Sequence, residues 1–327
     1  MSGQLASINV LVFGWYGHDN LGDQLFCEAF KQLFPHINFT FSDVFTTDNV
    51  KDVSAIFIGG GSFLFADPLI SEECLNIIKT KMIFYVGVGV ETAIHPVHKD
   101  LMKLAGIIAV RSVKGIEKVK SLNNVVVIPD LVYSLKAEVK SKISNSVLIL
   151  PNISVIPQNT DDHWKHNSWQ HFKFEFGQFL DYLVESGYDI NFFSMCNSYK
   201  QNDDWAAYEI IAGMRNRNDY IIRAKSSNIK DITKLFSRYE TIITQRFHGI
   251  ILSELVRTPY ISIFHHDKLN HSFLNECNFI SYYSSSKQTF IDQFNLVKNI
   301  KLKKNISIEL NIFESLKNKI NHLLSEV

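Results

Sequence analysis

Arg246 and His248 stand two residues apart in the segment Gln245-Arg246-Phe247-His248-Gly249. The apolar run Thr241–Thr244 precedes them, and Ile250, Ile251, Leu255 and Val256 follow at helical spacing. A strand-to-helix junction presents unsatisfied backbone N–H groups and the positive end of a helix dipole, so it favours an anion. Arginine there offers a planar fork to a carboxylate or phosphate, and histidine can carry a proton at neutral pH. Lys268, beyond the apolar run Tyr260–Phe264, adds a cation at the next strand end.

Three further segments have the same character. Gly14-Trp15-Tyr16-Gly17-His18-Asp19-Asn20-Leu21-Gly22-Asp23 lies between the apolar run Ile8–Phe13 and a helical pattern. Gly14 and Gly17 allow close backbone approach, Asn20 can brace the turn, and Asp23 is the expected N-cap. Gly59-Gly60-Gly61-Ser62 ends residues 55–58, and Gly87-Val88-Gly89 ends the next run, with Glu91 just beyond. Arg111 follows Val110, and Asp130 follows Pro129 at the end of residues 125–128. The common theme is an anion cradle of backbone amides, Arg111, Arg246, His248 and Lys268.

Other chemistries lack their residues. No Lys-Ser/Thr follows the first glycine turn, so it is not a Walker loop, and no GxSxG elbow is present. His163, His166 and His171 read as a Trp-rich loop rather than a zinc site, and no metal is expected. Cys27, Cys74, Cys196 and Cys277 are scattered and form no CxxC, which favours reduced thiols. Lys plus Arg (33) equal Asp plus Glu (33), so nothing draws the whole chain to nucleic acid. The opening apolar run is too short for a signal or a span, and no stretch reaches about 18 apolar residues. A soluble, cytoplasmic protein is therefore expected.

Positioning these groups falls to alternating strands and helices. Runs apolar on both faces end in glycine or a polar turn and are followed by helical patterns, which implies mostly parallel sheets. The 327 residues suggest two domains, with a polar stretch over 135–146 as linker. The expected division is 1–140, 141–304 and a C-terminal helix, 305–327, crossing back to the first domain. That helix shows an apolar stripe of Ile312, Leu316, Ile320, Leu323 and Val327. The fold class is α/β, with two Rossmann-like domains facing a central cleft.

These ordered motifs resemble the polysaccharide pyruvyl transferases over about residues 8–283. Gly14, Gly17, Asn20, Leu21, Gly22 and Asp23 look like the family's Gly-x-x-Asn-hydrophobic-Gly-Asp start. Residues 58–64, Gly87-Val88-Gly89, Val110-Arg111-Ser112 and Pro129-Asp130 are similar to its later strand ends. Arg246-Phe247-His248-Gly249 resembles its Arg-hydrophobic-His-Ala/Gly signature, and residues 263–268 its following strand end. Ser112 stands where the family has an acid.

The resemblance implies a GT-B-like fold, phosphoenolpyruvate as donor and a sugar hydroxyl pair as acceptor. The products would be a pyruvate ketal and phosphate. Arg111 and Arg246 would anchor the donor. His248 would be the acid or would stabilise the departing phosphate, with Asp130 or Glu91 as base. Gly14, Gly17, Asn20, Asp23, Gly60, Gly61, Gly89 and Lys268 would line the substrates. Phosphoenolpyruvate is then a co-substrate and no cofactor is required. Peripheral membrane association through a lipid-linked acceptor and homo-oligomerisation stay open. The alternative is a GT-B glycosyltransferase using a nucleotide sugar.

Overall fold

A computed structural model describes residues 8–90, 93–111, 116–152, 163–198, 201–217, 221–223, 228–264, 278–281, 285–299 and 306–326. The chain divides into two compact units. The first comprises Met1–Gly17, Asp23–Leu135 and Asn305–Val327, and the second His18–Gly22 and Lys136–Lys304.

In the first unit the strands are β1 (Ile8–Phe13), β2 (Ile37–Ser42), β3 (Ala55–Gly61), β4 (Met82–Val88), β5 (Ile107–Val110) and β6 (Val125–Val127). They form one parallel sheet in the order β2-β1-β3-β4-β5-β6. Helices α1 (Leu21–Leu33), α2 (Thr47–Lys51), α3 (Glu72–Ile78) and α4 (Pro96–Leu104) make connections between successive strands. β1, β3, β4 and β5 are almost wholly buried, as strands covered on both faces must be. β2 differs: Ile-Asn-Phe-Thr-Phe-Ser alternates and lies at the sheet edge, so a search for uninterrupted apolar runs passes over it.

α1 buries Leu25, Phe26, Ala29, Phe30 and Leu33 at helical spacing, and Pro35 follows its end. Phe30 and Phe34 meet Phe39 and Phe57 of the sheet with ring centroids 5.8–6.4 Å apart. Phe30, Phe34 and Phe57, all fully buried, each contribute about 2–3 kcal/mol. The C-terminal helix of this unit, residues 306–324, buries Phe313, Leu316, Ile320 and Leu324, while Ile312 and Leu323 are half-buried. The seam therefore adds Phe313 and Leu324 to the expected stripe, with Ile312 and Leu323 at its margin.

In the second unit the strands are β7 (Ser146–Leu150), β8 (Asp189–Ser194), β9 (Asn197–Ser198), β10 (Gln201–Asn202), β11 (Ile221–Arg223), β12 (Thr241–Thr244), β13 (Tyr260–Phe264) and β14 (Asn278–Ser281). Six make a second parallel sheet, ordered β11-β8-β7-β12-β13-β14, and β9 and β10 pair as a small antiparallel ladder. The helices are α5 (His163–Glu185), α6 (Asp203–Ala212), α7 (Ile229–Ser237), α8 (Phe247–Val256) and α9 (Lys287–Val297). α5 starts at His163, so the segment read as a loop around the histidines is helical. Trp169 extends the buried spacing of Phe172, Phe176, Phe179, Leu180 and Leu183 by one turn.

Strand order reverses between β1 and β3 in the first sheet and between β7 and β12 in the second. Loops at such switch points diverge to opposite faces and leave a crevice at the carboxyl ends of the strands. No helix among the described residues is long and apolar enough to cross a membrane.

Candidate active site

The first unit gathers its glycine turns and its arginine at the carboxyl ends of β1, β3, β4 and β5. Gly14 N donates to Ser42 O (3.0 Å), Gly89 N to Gly61 O (2.8 Å) and Arg111 N to Val88 O (3.0 Å). Gly60 has φ +75°, and a Cβ there would lie 2.7 Å from Tyr16 Oη and 2.9 Å from the Phe26 ring. Only glycine fits both the left-handed backbone and the space. Tyr16 donates to Gly59 O at 2.8 Å, and burial holds its phenol well above the usual range. Asp23 Oδ1 lies beside Gly61, 3.8 Å from where a Cβ would be.

Arg111 is buried, and Nη1 donates to Asp130 Oδ2 at 3.0 Å, with both side chains 2% exposed. Its Nη2 donates to Ser62 Oγ at 2.6 Å. Asp130 Oδ1 also accepts from Val132 N at 3.1 Å, capping the turn Leu131–Ser134. The structure thus joins the third-strand turn, Arg111 and Asp130 into one polar cluster. Ser62 belongs to that cluster as a hydrogen-bond partner, a part its place after three glycines did not announce.

The second unit holds Arg246 and His248 at the start of α8, beside the β7/β12 switch point. Arg246 is the N-cap residue, and its N donates to Thr244 Oγ1 at 2.9 Å. Asn152, just after β7, donates its N–H to Gln245 Oε1 at 3.0 Å and ties the two switch-point loops together. His248 is half-buried, with Phe247 edge-on at 5.6 Å between ring centroids.

The Arg246 fork is engaged by protein. Nε donates to Asp203 Oδ2 at 2.9 Å, Nη2 donates to Asp203 Oδ1, and Nη1 donates to Gln201 Oε1 at 3.0 Å. The sequence reading gave Gln201 and Asp203 no role. The one local signal was the paired acid Asp203-Asp204 in the first turn of a helix. Burial raises the neighbouring Cys196 thiol, with Arg246 pulling the other way.

Residues 18–22 belong to the second unit although β1, just before them, belongs to the first. Asn20 pairs with Cys196 as an antiparallel bridge, Leu21 N donates to Met195 O at 2.8 Å, and Asn197 N donates to Asp19 O at 3.0 Å. Gly22 then packs on the His248 imidazole so closely that a Cβ would overlap Nδ1. α1 begins at Leu21, so Asp23 lies in its first turn and does not cap it. Asn20 takes that part, accepting from Gly22 N at 3.0 Å. Glu91 and Lys268 lie outside the described residues, as do His265, His266 and Cys277. Among the described residues no group of three His, Cys, Asp or Glu is placed to hold a metal.

The family described as polysaccharide pyruvyl transferase matches residues 20–267. No curated protein matches the chain. Among solved structures, the chain is similar to UDP-N-acetylglucosamine 2-epimerase from Rickettsia bellii, with 10% identity and a TM-score of 0.56 over 98% of this chain and 97% of that one. It is similar to the Methanocaldococcus jannaschii UDP-GlcNAc 2-epimerase crystallised with UDP-GlcNAc and UDP, with 8% identity and a TM-score of 0.55 over 96% and 100%. It is also similar to Acinetobacter baumannii MurG, with 8% identity and a TM-score of 0.51 over 98% and 100%. At these identities the likeness shows the fold alone, which is GT-B-like, with Rossmann-like α/β units.

Proposed function

The chain belongs to the polysaccharide pyruvyl transferase family, and from that premise we propose that it moves the pyruvate group of phosphoenolpyruvate onto a hydroxyl pair of one sugar. The acceptor is a surface or capsular polysaccharide or its precursor. The observation that carries this reading is Arg246-Phe247-His248-Gly249 at the start of α8, at the switch point of the second sheet.

The chemistry needs a proton on the donor's CH₂ carbon, which leaves cationic character at C2. One hydroxyl adds at C2, phosphate leaves with the C–O bond electrons, and the second hydroxyl closes the ketal. The two hydroxyl protons balance the one delivered to carbon and the one carried off by phosphate. His248 is the proton donor of this scheme, worth typically ~10²–10⁴-fold in rate. In this scheme Arg111 and Arg246 bind the donor's anionic groups, although each is also paired with a buried carboxylate. Those pairs are nearly neutral, so much of the pull on the donor comes from backbone N–H groups at the helix starts. The reaction is redox-neutral, and phosphoenolpyruvate serves as co-substrate, not as a resident cofactor.

The test is phosphate release from phosphoenolpyruvate with galactose-, mannose- and N-acetylhexosamine-containing acceptors. Acceptor-dependent release supports the reading. Sugar transfer from a nucleotide sugar, with no release from phosphoenolpyruvate, replaces it with the glycosyltransferase reading. His248→Gln should leave donor affinity within a few-fold and lower kcat by roughly 10²-fold or more.

A further inference from the structure

We propose that Asp203, assisted by Gln201, is a positioning residue that sets the His248 imidazole through Arg246 and the loop carrying Gly22. The proposal rests on the reading of His248 as proton donor. It goes beyond that reading by naming what orients the donor.

The contacts close a circuit that starts and ends within three residues of the chain. Asp203 is wholly buried, and its carboxylate takes Arg246 through two nitrogens. The same Oδ2 accepts from Met195 N at 3.3 Å and Cys196 N at 3.1 Å, and Asp203 N returns a bond to Cys196 O at 2.8 Å. One carboxylate therefore fixes both the guanidinium and the turn after β8. That turn holds Asp19, Asn20 and Leu21 by the bridge and the two backbone bonds described above. Gly22 comes next, where a Cβ would stand 2.7 Å from Cε1 and 2.9 Å from Cγ of His248. The ring is thus walled on one side by a backbone whose place depends on Asp203.

Two features say that the circuit is selected for position. A buried carboxylate satisfied by two backbone amides and a guanidinium holds a fixed geometry, because any shift strands charge in a low-dielectric site. Glycine at position 22 lets backbone meet the imidazole face directly, where any Cβ would overlap the ring. Misplacing a catalytic group by about 1 Å can cost ~10²-fold.

The experiment compares wild type, Asp203→Asn, His248→Gln and the double variant. Asp203→Asn keeps the shape and removes the charge. Amide hydrogen exchange of the peptide over 18–22 should quicken at least about tenfold, although residue 203 is distant in sequence. With phosphoenolpyruvate and acceptor, kcat should fall about 10- to 100-fold, with a smaller rise in donor KM as Arg246 loses its charge partner. In the His248→Gln background the same change should lower kcat less than about twofold, because it acts through His248. Its effect on Tm should persist there. Unchanged exchange over 18–22, an equal loss of kcat in both backgrounds, or a tenfold rise in donor KM at constant kcat would each overturn the proposal. If Asp203→Asn does not fold, Gln201→Ala removes only the Nη1 bond. It should quicken exchange over 18–22 and reduce kcat about threefold, and no change in either overturns the proposal. A wild type that releases no phosphate from phosphoenolpyruvate defeats the functional reading, while the exchange data still decide the circuit.

Discussion

Replacing Asp130 by alanine should strongly destabilise the first unit. Asp130 and Arg111 are each 2% exposed and 3.0 Å apart. Removing one partner of a buried pair costs about 3–5 kcal/mol, because the remaining charge loses its counter-charge in a poorly solvated site. Asp130 also caps the turn Leu131–Ser134, which adds about 1 kcal/mol. These effects share one side chain and do not add fully, so about 4 kcal/mol is expected. For a unit of roughly 150 residues, 1 kcal/mol shifts Tm by about 2–4 °C, giving a fall of about 8–16 °C.

Calorimetry of the Asp130→Ala protein measures this directly. The double variant Arg111→Met/Asp130→Leu removes both charges and fills the space, so it should regain most of the lost stability. Its donor KM should nevertheless rise at least about tenfold, because Arg111 is gone. A Tm loss under about 2 °C for Asp130→Ala, or a double variant as unstable as the single one, would refute the buried-pair reasoning. A stable double variant with unchanged KM would remove Arg111 from the donor site.

Other expectations follow from the same geometry. His98 is buried against Tyr85, Phe13 and Phe63, and burial, the largest cause, lowers its pKa from 6.5 to about 4. Between those values the unfolded chain binds the extra proton. His98's contribution, at most about 3 kcal/mol, is therefore complete above pH 6.5 and is lost as pH falls toward 4; urea titrations should show that slope flattened in His98→Gln. Burial pushes the Cys27 thiol up to about 12, against the opposite pull of Lys31, so mass mapping after iodoacetamide at pH 7.5 should find Cys27 essentially unalkylated in the native protein. Gly60→Ala should cost roughly 2–4 kcal/mol, from the left-handed backbone and the overlap with Tyr16 and Phe26, and chemical unfolding should show it; a loss below about 1 kcal/mol would mean the turn relaxes.

What the sequence determined by itself is local. Short apolar runs such as Ala55–Gly61 and Met82–Val88, rich in Ile, Val and Phe and carrying glycine toward their ends, read as strands buried on both faces, and alternation with amphipathic helices points to parallel sheets. Arg246 and His248 were legible at a strand-to-helix junction because Thr241–Thr244 and Phe247–Val256 carry different periodicities. β2 was hidden because an edge strand alternates and lacks the continuous apolar run. The tertiary structure alone decided what the charged side chains touch. Arg111 meets an aspartate 19 residues away, and Arg246 one 43 residues away. Spacing along the chain cannot report such pairings, because strand order brings them together. The same holds for residues 18–22. Their glycines and asparagine announce a turn, but only the fold sets that turn against residues 195–197 and lays Gly22 on His248. Backbone bonds between distant segments depend on which loops share a sheet edge, and no local propensity encodes that.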